Sequence, residues 1–230
     1  LKALSLLIFC SPLWEKVLRN LRKNILMSYS EKDKISNNIF VFTIGLGSQC
    51  FLNEYVYYIS AEEEHKLKEV EKSIDNNKNQ DYKLAIISCY KSLSSINNEI
   101  INMNDYVSNN KEFNNLLNLQ IKELNDEKKI SKGINKIGNI KDFISKEVKN
   151  QYELNPYPRW RYNSYAKENK LNFLSIINSE IYPNTIKSNS DQLKNKKINI
   201  LIAGCGTGIQ ILEASRYSNC EITAIDLSNS

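Results

Sequence analysis

From the start of the chain to about residue 150, apolar residues recur every three or four positions, a spacing that predicts helices. Pro12 stands at the first position of one predicted helix, after the candidate capping residue Ser11. We expect the apolar face of this helix to point into a core; it comprises Leu13, Val17, Leu21 and Ile25, beside Trp14 and Leu18. Ser60 and Glu63 have the spacing of a capping box, which predicts a charged helix running to about Ile74. Further helices are predicted at residues 39–58, 82–96, 111–129, 140–151 and 164–181.

The predicted helix at residues 39–58 is apolar nearly all round, which is typical of a central position in a helical core. Gly45 and Gly47 would let a neighbouring helix approach closely. The polar residues within this segment are Gln49, Asn53 and Glu54. Because buried polar groups need partners, these side chains either bond to neighbouring helix ends or form a specific polar site.

After a polar, linker-like stretch at residues 183–197, the pattern changes to that of an α/β fold. Ile198–Ala203 is a nearly continuous apolar run, as expected of a parallel strand covered on both faces. A glycine loop follows, then a predicted helix at 209–217 and a second predicted strand at 221–225. The fold class expected is therefore a mainly α N-terminal region followed by the first βαβ portion of a Rossmann-like domain. The domain boundaries predicted are 1–150 for the helical region, 151–197 for a joint, helix and linker, and 198–230 for the βαβ portion.

The glycine loop carries the candidate chemistry. Glycines let the chain turn sharply from strand to helix and let its backbone contact a ligand, while the helix N-terminus suits a carboxylate or phosphate. Asp226 ends the second strand, where a carboxylate can accept hydrogen bonds from both hydroxyls of a ribose. The candidate cofactor-binding residues are Gly204, Cys205, Gly206, Thr207, Gly208, Asp226 and Leu227.

The spacing of the glycines distinguishes between cofactors. A nicotinamide dinucleotide site uses G-x-G-x-x-G, whereas Ile209 stands here at the sixth position and the third glycine, Gly208, comes one residue early. The A-G-C-G-T-G and I-D-L-S segments of this chain resemble motif I and the following strand of class I S-adenosylmethionine-dependent methyltransferases. That resemblance implies S-adenosyl-L-methionine as cofactor. The chain departs from the family at Ile202, where an acidic residue is frequent, so the partner of the methionine amino group stays unassigned.

Two upstream segments strengthen the resemblance. Residues 151–160 (QYELNPYPRW) and 49–56 (QCFLNEYV) are similar to the Q-Y-E-x-N-P-Y-P-R-W and Q-C-F-x-N-E-Y-V segments of bacterial methyltransferases that carry tetratricopeptide repeats. The resemblance implies that the helical region lies after upstream repeats, through which the protein would contact a protein partner. It also implies that a methyltransferase domain follows the helical region and is truncated here after motif I. The prolines, with Tyr157 and Trp160, are typical of a packed joint between domains.

The resemblance leaves part of the function open. Acceptor-side groups of the class I fold usually come from later strands, so the methyl acceptor and the catalytic residues are unknown, and we expect this fragment alone to be inactive. Two alternatives are a nicotinamide-dinucleotide-binding oxidoreductase and a helical protein-interaction module whose α/β portion has no function.

Composition narrows the partners and the compartment. The net charge of +5 comes from 31 basic and 26 acidic residues scattered along the chain, so no nucleic-acid-binding block is evident. No C-x-x-C pair and no nearby histidines accompany the cysteines, so we expect no metal site and favour a reducing, cytoplasmic location; these cysteines are Cys10, Cys50, Cys89, Cys205 and Cys220. The apolar run 39–46 is too short to span a membrane.

Overall fold

The computed structural model describes residues 2–31, 34–75, 80–96, 101–161, 170–186 and 197–229. These residues are mostly helical, with a small two-stranded parallel sheet near the C-terminal end. The chain divides into two compact units, the first made of residues 1–137 and 157–161 and the second of residues 138–156 and 162–230. The domain boundaries expected from the sequence stay a prediction.

The first unit is helical. Its elements are α1 (Lys2–Leu6), α2 (Pro12–Met27), α3 (Asn37–Leu52), α4 (Ala61–Lys72), α5 (Asp81–Ser88), a 3₁₀ turn (Leu93–Ser95), α6 (Lys111–Leu117), a π-helical turn (Asn118–Lys122) and α7 (Glu123–Ser131). The last three form one continuous helical segment, as predicted for residues 111–129. The helix predicted at 82–96 ends early, at Ser88, and the 3₁₀ turn follows after a short break. No helix among the described residues is long and apolar enough to cross a membrane.

Helix α3 lies at the centre of this unit, since every residue from Thr43 to Leu52 is buried. Gly47 packs against Ser88 of α5 so closely that an added Cβ would lie 2.1 Å from the serine Oγ, which confirms the close approach expected there. The helix ends at Leu52 rather than Tyr58. The reason is the backbone of Glu54 and Tyr55, which turns out of the helix with φ angles of 55° and 54°.

The face of α2 that points into the core differs from the predicted one. Leu18, Arg22 and Leu26 are buried and Ile25 packs against the core, while Leu13, Val17 and Leu21 are exposed. The buried stripe contains two leucines with Arg22 between them, and Arg22 can be buried there because its guanidinium is paired with Glu63 of α4. Ser11 occupies the N-cap position, but its side chain forms no capping hydrogen bond.

The capping box at the start of α4 is confirmed. The Ser60 Oγ accepts a hydrogen bond from the backbone N–H of Glu63 at 3.3 Å. The Glu63 carboxylate in turn accepts the backbone N–H of Ser60 at 2.9 Å. Two N–H groups that the first helical turn leaves without partners are thereby satisfied.

The second unit contains α8 (Phe143–Leu154), α9 (Phe173–Glu180), β1 (Ile198–Ala203), α10 (Ile209–Ala214) and β2 (Cys220–Ile225). The helix predicted at 164–181 lies outside the described residues from 164 to 169. Its described part begins only at Phe173, because Asn172 caps α9 and Leu171 pairs instead with Tyr217.

Strands β1 and β2 pair in parallel, with Ile198 opposite Cys220 and Ala203 opposite Ile225. Helix α10 connects them and packs against both strands. Along β1, half-buried and exposed residues alternate, and 64% of Leu201 is exposed. Among the described residues, α10 covers one face of this strand, so coverage of both faces stays a prediction for a larger sheet.

Candidate functional site

The glycine loop leaves the sheet at the same edge as Asp226. Because Ala203 and Ile225 are paired in register, the residues that follow them, Gly204 and Asp226, emerge side by side. The backbone N–H groups of Gly204 and Cys205 both donate to the carbonyl oxygen of Ile225, at 2.8 and 3.2 Å. The start of the loop is thus held by an extension of the sheet's own hydrogen bonds.

All three glycines of the loop adopt left-handed backbone conformations. Their φ angles are 77° at Gly204, 49° at Gly206 and 95° at Gly208, values at which a residue with a Cβ is strained. No atom lies within 4 Å of the position that a Cβ would occupy at Gly204 or Gly206. Conformation therefore requires glycine here, and the space beside the backbone is open to a ligand.

The carboxylate of Asp226 is bound to the loop. Its Oδ2 accepts the backbone N–H of Gly206 at 2.8 Å, and its Oδ1 accepts the backbone N–H of Ser228 at 3.0 Å. The side chain is exposed, and each carboxylate oxygen has lone-pair capacity for a further donor. Asp226 is thus oriented by the protein and still able to accept hydrogen bonds from ligand hydroxyls.

The other predicted site residues lie along the same edge. Cys205 and Thr207 are half-buried within the loop, and Leu227, next to Asp226, is 48% exposed. Burial and the negative charge of Asp226 both raise the pKa of the Cys205 thiol above its ordinary value. A thiol held protonated in this way is a poor nucleophile, so Cys205 lines the loop rather than attacking a substrate.

Residues from the segments 49–56 and 157–160 are in contact within the first unit. Arg159 forms an ion pair with Glu54, and its guanidinium carbon lies 4.7 Å from the centre of the Phe51 ring. Burial raises the pKa of Glu54, while the charge of Arg159 opposes that rise. The sequence showed these segments as separate motifs, and it contained no signal that they are in contact.

A buried ion pair was missed from the sequence. The Arg22 side chain is completely buried, and its Nη2 lies 3.2 Å from Glu63 Oε1 and donates to the carbonyl oxygen of Tyr58 at 2.7 Å. The Tyr90 hydroxyl donates to the same Glu63 oxygen at 2.9 Å. A usable signal was present, because Arg22 lies four residues from both Leu18 and Leu26 on one helical stripe.

Two buried glutamines differ in how their amides are satisfied. Gln120 of the π-helical turn accepts the backbone N–H of Leu93 at 3.0 Å and donates to the carbonyl oxygens of Gly47 and Ser88. Gln49 has no hydrogen bond at either amide atom among the described residues. The hydrogen bonds to neighbouring helix ends that the sequence suggested for Gln49 are therefore absent there.

Comparison of the chain with models of protein families, with curated proteins and with solved structures found no match. Within the described ranges, no group of three or more histidine, cysteine, aspartate or glutamate residues is placed to hold a metal ion.

Proposed function

We propose that the full-length protein is an S-adenosyl-L-methionine-dependent methyltransferase and that residues 204–208, with Asp226 and Leu227, bind its cofactor. One observation carries the proposal: the carboxylate of Asp226, directly after β2, accepts a hydrogen bond from the central glycine of a loop whose three glycines are all left-handed. Open space beside Gly204 and Gly206 fits close approach of a ligand to the backbone. The G-x-G-x-G spacing favours this cofactor over a dinucleotide.

Each site residue then has a stated role. Asp226 accepts hydrogen bonds from the ribose hydroxyls, and its bond to Gly206 fixes its orientation before the ligand arrives. Cys205, Thr207 and Leu227 line the loop and its edge. The cofactor supplies an electrophilic methyl group, whose transfer requires an in-line arrangement with the acceptor. We assign no catalytic residue to this chain.

Calorimetry on the full-length protein with S-adenosylhomocysteine and, separately, with NADH tests the choice of cofactor. We expect saturable binding of S-adenosylhomocysteine and none of NADH. Tight NADH binding without binding of S-adenosylhomocysteine would replace the proposal with an oxidoreductase.

Residues 1–230 alone are expected to bind S-adenosylhomocysteine poorly. Among the described residues the sheet has two strands, and one of its faces is exposed at Leu201, so the loop is held by a small, incompletely covered sheet. Micromolar binding to residues 1–230 in the same calorimeter would contradict this expectation.

A further inference from the structure

Residues 157–161 (Tyr-Pro-Arg-Trp-Arg), which we name the strap, belong to the first unit although the chain on both sides of them belongs to the second. The strap contacts the end of α3 and one face of α7. Its contacts there are concentrated on two arginines, Arg159 and Arg161. A short segment that contacts helices through two charged side chains has the character of a docked peptide.

Arg159 makes the more enclosed of the two contacts. Its Nε bonds to Glu54, its Nη1 lies 3.0 Å from both carboxylate oxygens of Glu127, and its guanidinium lies over the Phe51 ring. Only 13% of the Arg159 side chain is exposed. Two carboxylates and one aromatic ring around a planar guanidinium form the environment that arginine fits and lysine does not.

Arg161 repeats the pattern one helical turn away. It pairs with Glu123, which lies four residues before Glu127 on α7 and so on the same face of that helix. Side chains at i and i+4 of a helix are about 5–6 Å apart. Side chains two residues apart in an extended chain are about 6.6 Å apart. The spacing of the two glutamates therefore matches an Arg-x-Arg segment.

The turn that ends α3 carries one of the carboxylates that contact the strap. Glu54 and Tyr55 both have left-handed φ angles, a costly conformation for residues other than glycine. The side chain held there, Glu54, is the one that pairs with Arg159. The backbone N–H groups of Glu54 and Tyr55 donate to the carbonyl oxygens of Phe51 and Cys50, at 3.1 and 2.8 Å. This is a common left-handed way for a helix to end, and here it also carries Glu54 to Arg159.

We infer that Phe51, Glu54, Glu123 and Glu127 form a docking surface for an Arg-x-Arg segment, which the strap of the same chain fills. This surface is independent of the cofactor site, so it stands or falls separately from the proposed function. It anchors the chain to the helical unit at the strap, and any peptide with the same two arginines would compete for it once the strap is released.

Trypsin cleavage of residues 1–230 at the Arg159–Trp160 bond, followed by mass spectrometry, tests the docking. Glu54→Gln should accelerate this cleavage by about tenfold, because proteolysis follows the population of the released strap. Glu127→Gln should act in the same direction from an exposed position that leaves the core intact. Asp126→Asn, on the same helix but in a surface pair with Lys129, is the matched control and should leave the rate unchanged.

Two further experiments test the same surface: exchange of the charges at positions 123 and 161, and binding of a free peptide with the sequence of the strap. Glu123→Arg should speed cleavage at Arg159, and adding Arg161→Glu should restore protection. A fluorescent peptide with the sequence of residues 155–163 should bind the Arg159→Ala variant and not the wild-type chain, and its double Arg→Lys version should bind more weakly. Cleavage in Glu54→Gln and Glu127→Gln as slow as in wild type, or equal peptide binding to both chains, would overturn the inference.

Discussion

The two units place their hydrogen-bonded polar groups differently. In the first unit, Arg22, Glu63 and Gln120 are buried and bonded to other parts of the unit. In the second unit, Asp226 and the loop N–H groups bond to one another at the surface, and Ala214 is the only buried residue among those described. Polar groups of the first kind determine how helices pack, whereas those of the second kind remain accessible to a ligand.

Removal of the buried Glu63 carboxylate should have the largest effect on stability and so tests the difference between the two units most strongly. Glu63→Ala should lower the free energy of unfolding by about 3–5 kcal/mol, because Arg22 is left buried without its partner. Chemical denaturation followed by circular dichroism measures this change. Glu62→Ala, next to it in an exposed pair with Lys23, is the control and should have little effect; equal losses in both variants would show that burial is not the cause.

Close helix packing in the first unit gives the next largest effect. Gly47→Ala should cost about 1–3 kcal/mol, because the new methyl group would meet the Ser88 Oγ at 2.1 Å in a filled core. The same denaturation measurement applies. Adding Ser88→Ala should recover part of the loss, while Gly133→Ala, whose Cβ would lie 3.4 Å from its nearest neighbour, should change little. Full stability of Gly47→Ala would mean that α3 and α5 are less closely packed.

Local features of the fold could be predicted, and features that depend on distant partners could not. The capping box of Ser60 and Glu63 depends on residues three apart, so it is legible in the sequence. The inward face of α2 was predicted wrongly because the prediction counted apolar residues alone. The stripe of Leu18 and Leu26 includes Arg22, whose carboxylate partner lies 41 residues away. The left-handed turn at Glu54 contains no glycine, the residue from which such a turn can be predicted, so the end of α3 was also missed.

The candidate site divides in the same way. The order of strand, glycines, helix and strand predicted that the loop and Asp226 share one edge of the sheet, and the register of β1 and β2 places them there. The bond between Asp226 and the N–H of Gly206 depends on the exact path of the loop. That path follows from three left-handed φ angles, which residue spacing alone does not specify.

In the second unit, two glycine substitutions with a smaller expected effect distinguish backbone strain in general from strain at the ligand-binding loop. Gly206→Ala should strain the loop by about 1–2 kcal/mol, since its φ is positive. In the full-length protein we expect weaker S-adenosylhomocysteine binding in calorimetry, with thermal unfolding of the helical unit unchanged. Gly138→Ala introduces a comparable strain outside the loop and should leave affinity at the wild-type value. Equal affinity in both variants would remove Gly206 from the site.

The pH dependence of stability gives the smallest expected effect. Burial opposes ionisation of Glu63, but hydrogen bonds from Ser60 and Tyr90 and the charge of Arg22 hold its pKa below the ordinary 4.5. A carboxyl group whose pKa is lower in the folded than in the unfolded state stabilises the folded state at pH values above its unfolded-state pKa. This contribution is lost as the pH falls through the folded-state pKa. The stability difference between wild type and Glu63→Gln should therefore shrink below about pH 4.5. A stability difference that grows on acidification would show that folding raises the pKa of Glu63 instead of lowering it.

Affinity for S-adenosylhomocysteine in Asp226→Ala full-length protein tests the central claim most directly. Hydrogen bonds to a charged group contribute about 1.5–3 kcal/mol, so we predict binding about tenfold to a hundredfold weaker than wild type. The control is Glu221→Ala, which removes an exposed carboxylate from β2, the strand that Asp226 follows. This variant should bind as wild type does. Unchanged affinity in Asp226→Ala, or an equal loss in both variants, would contradict the assignment of this loop as the cofactor site.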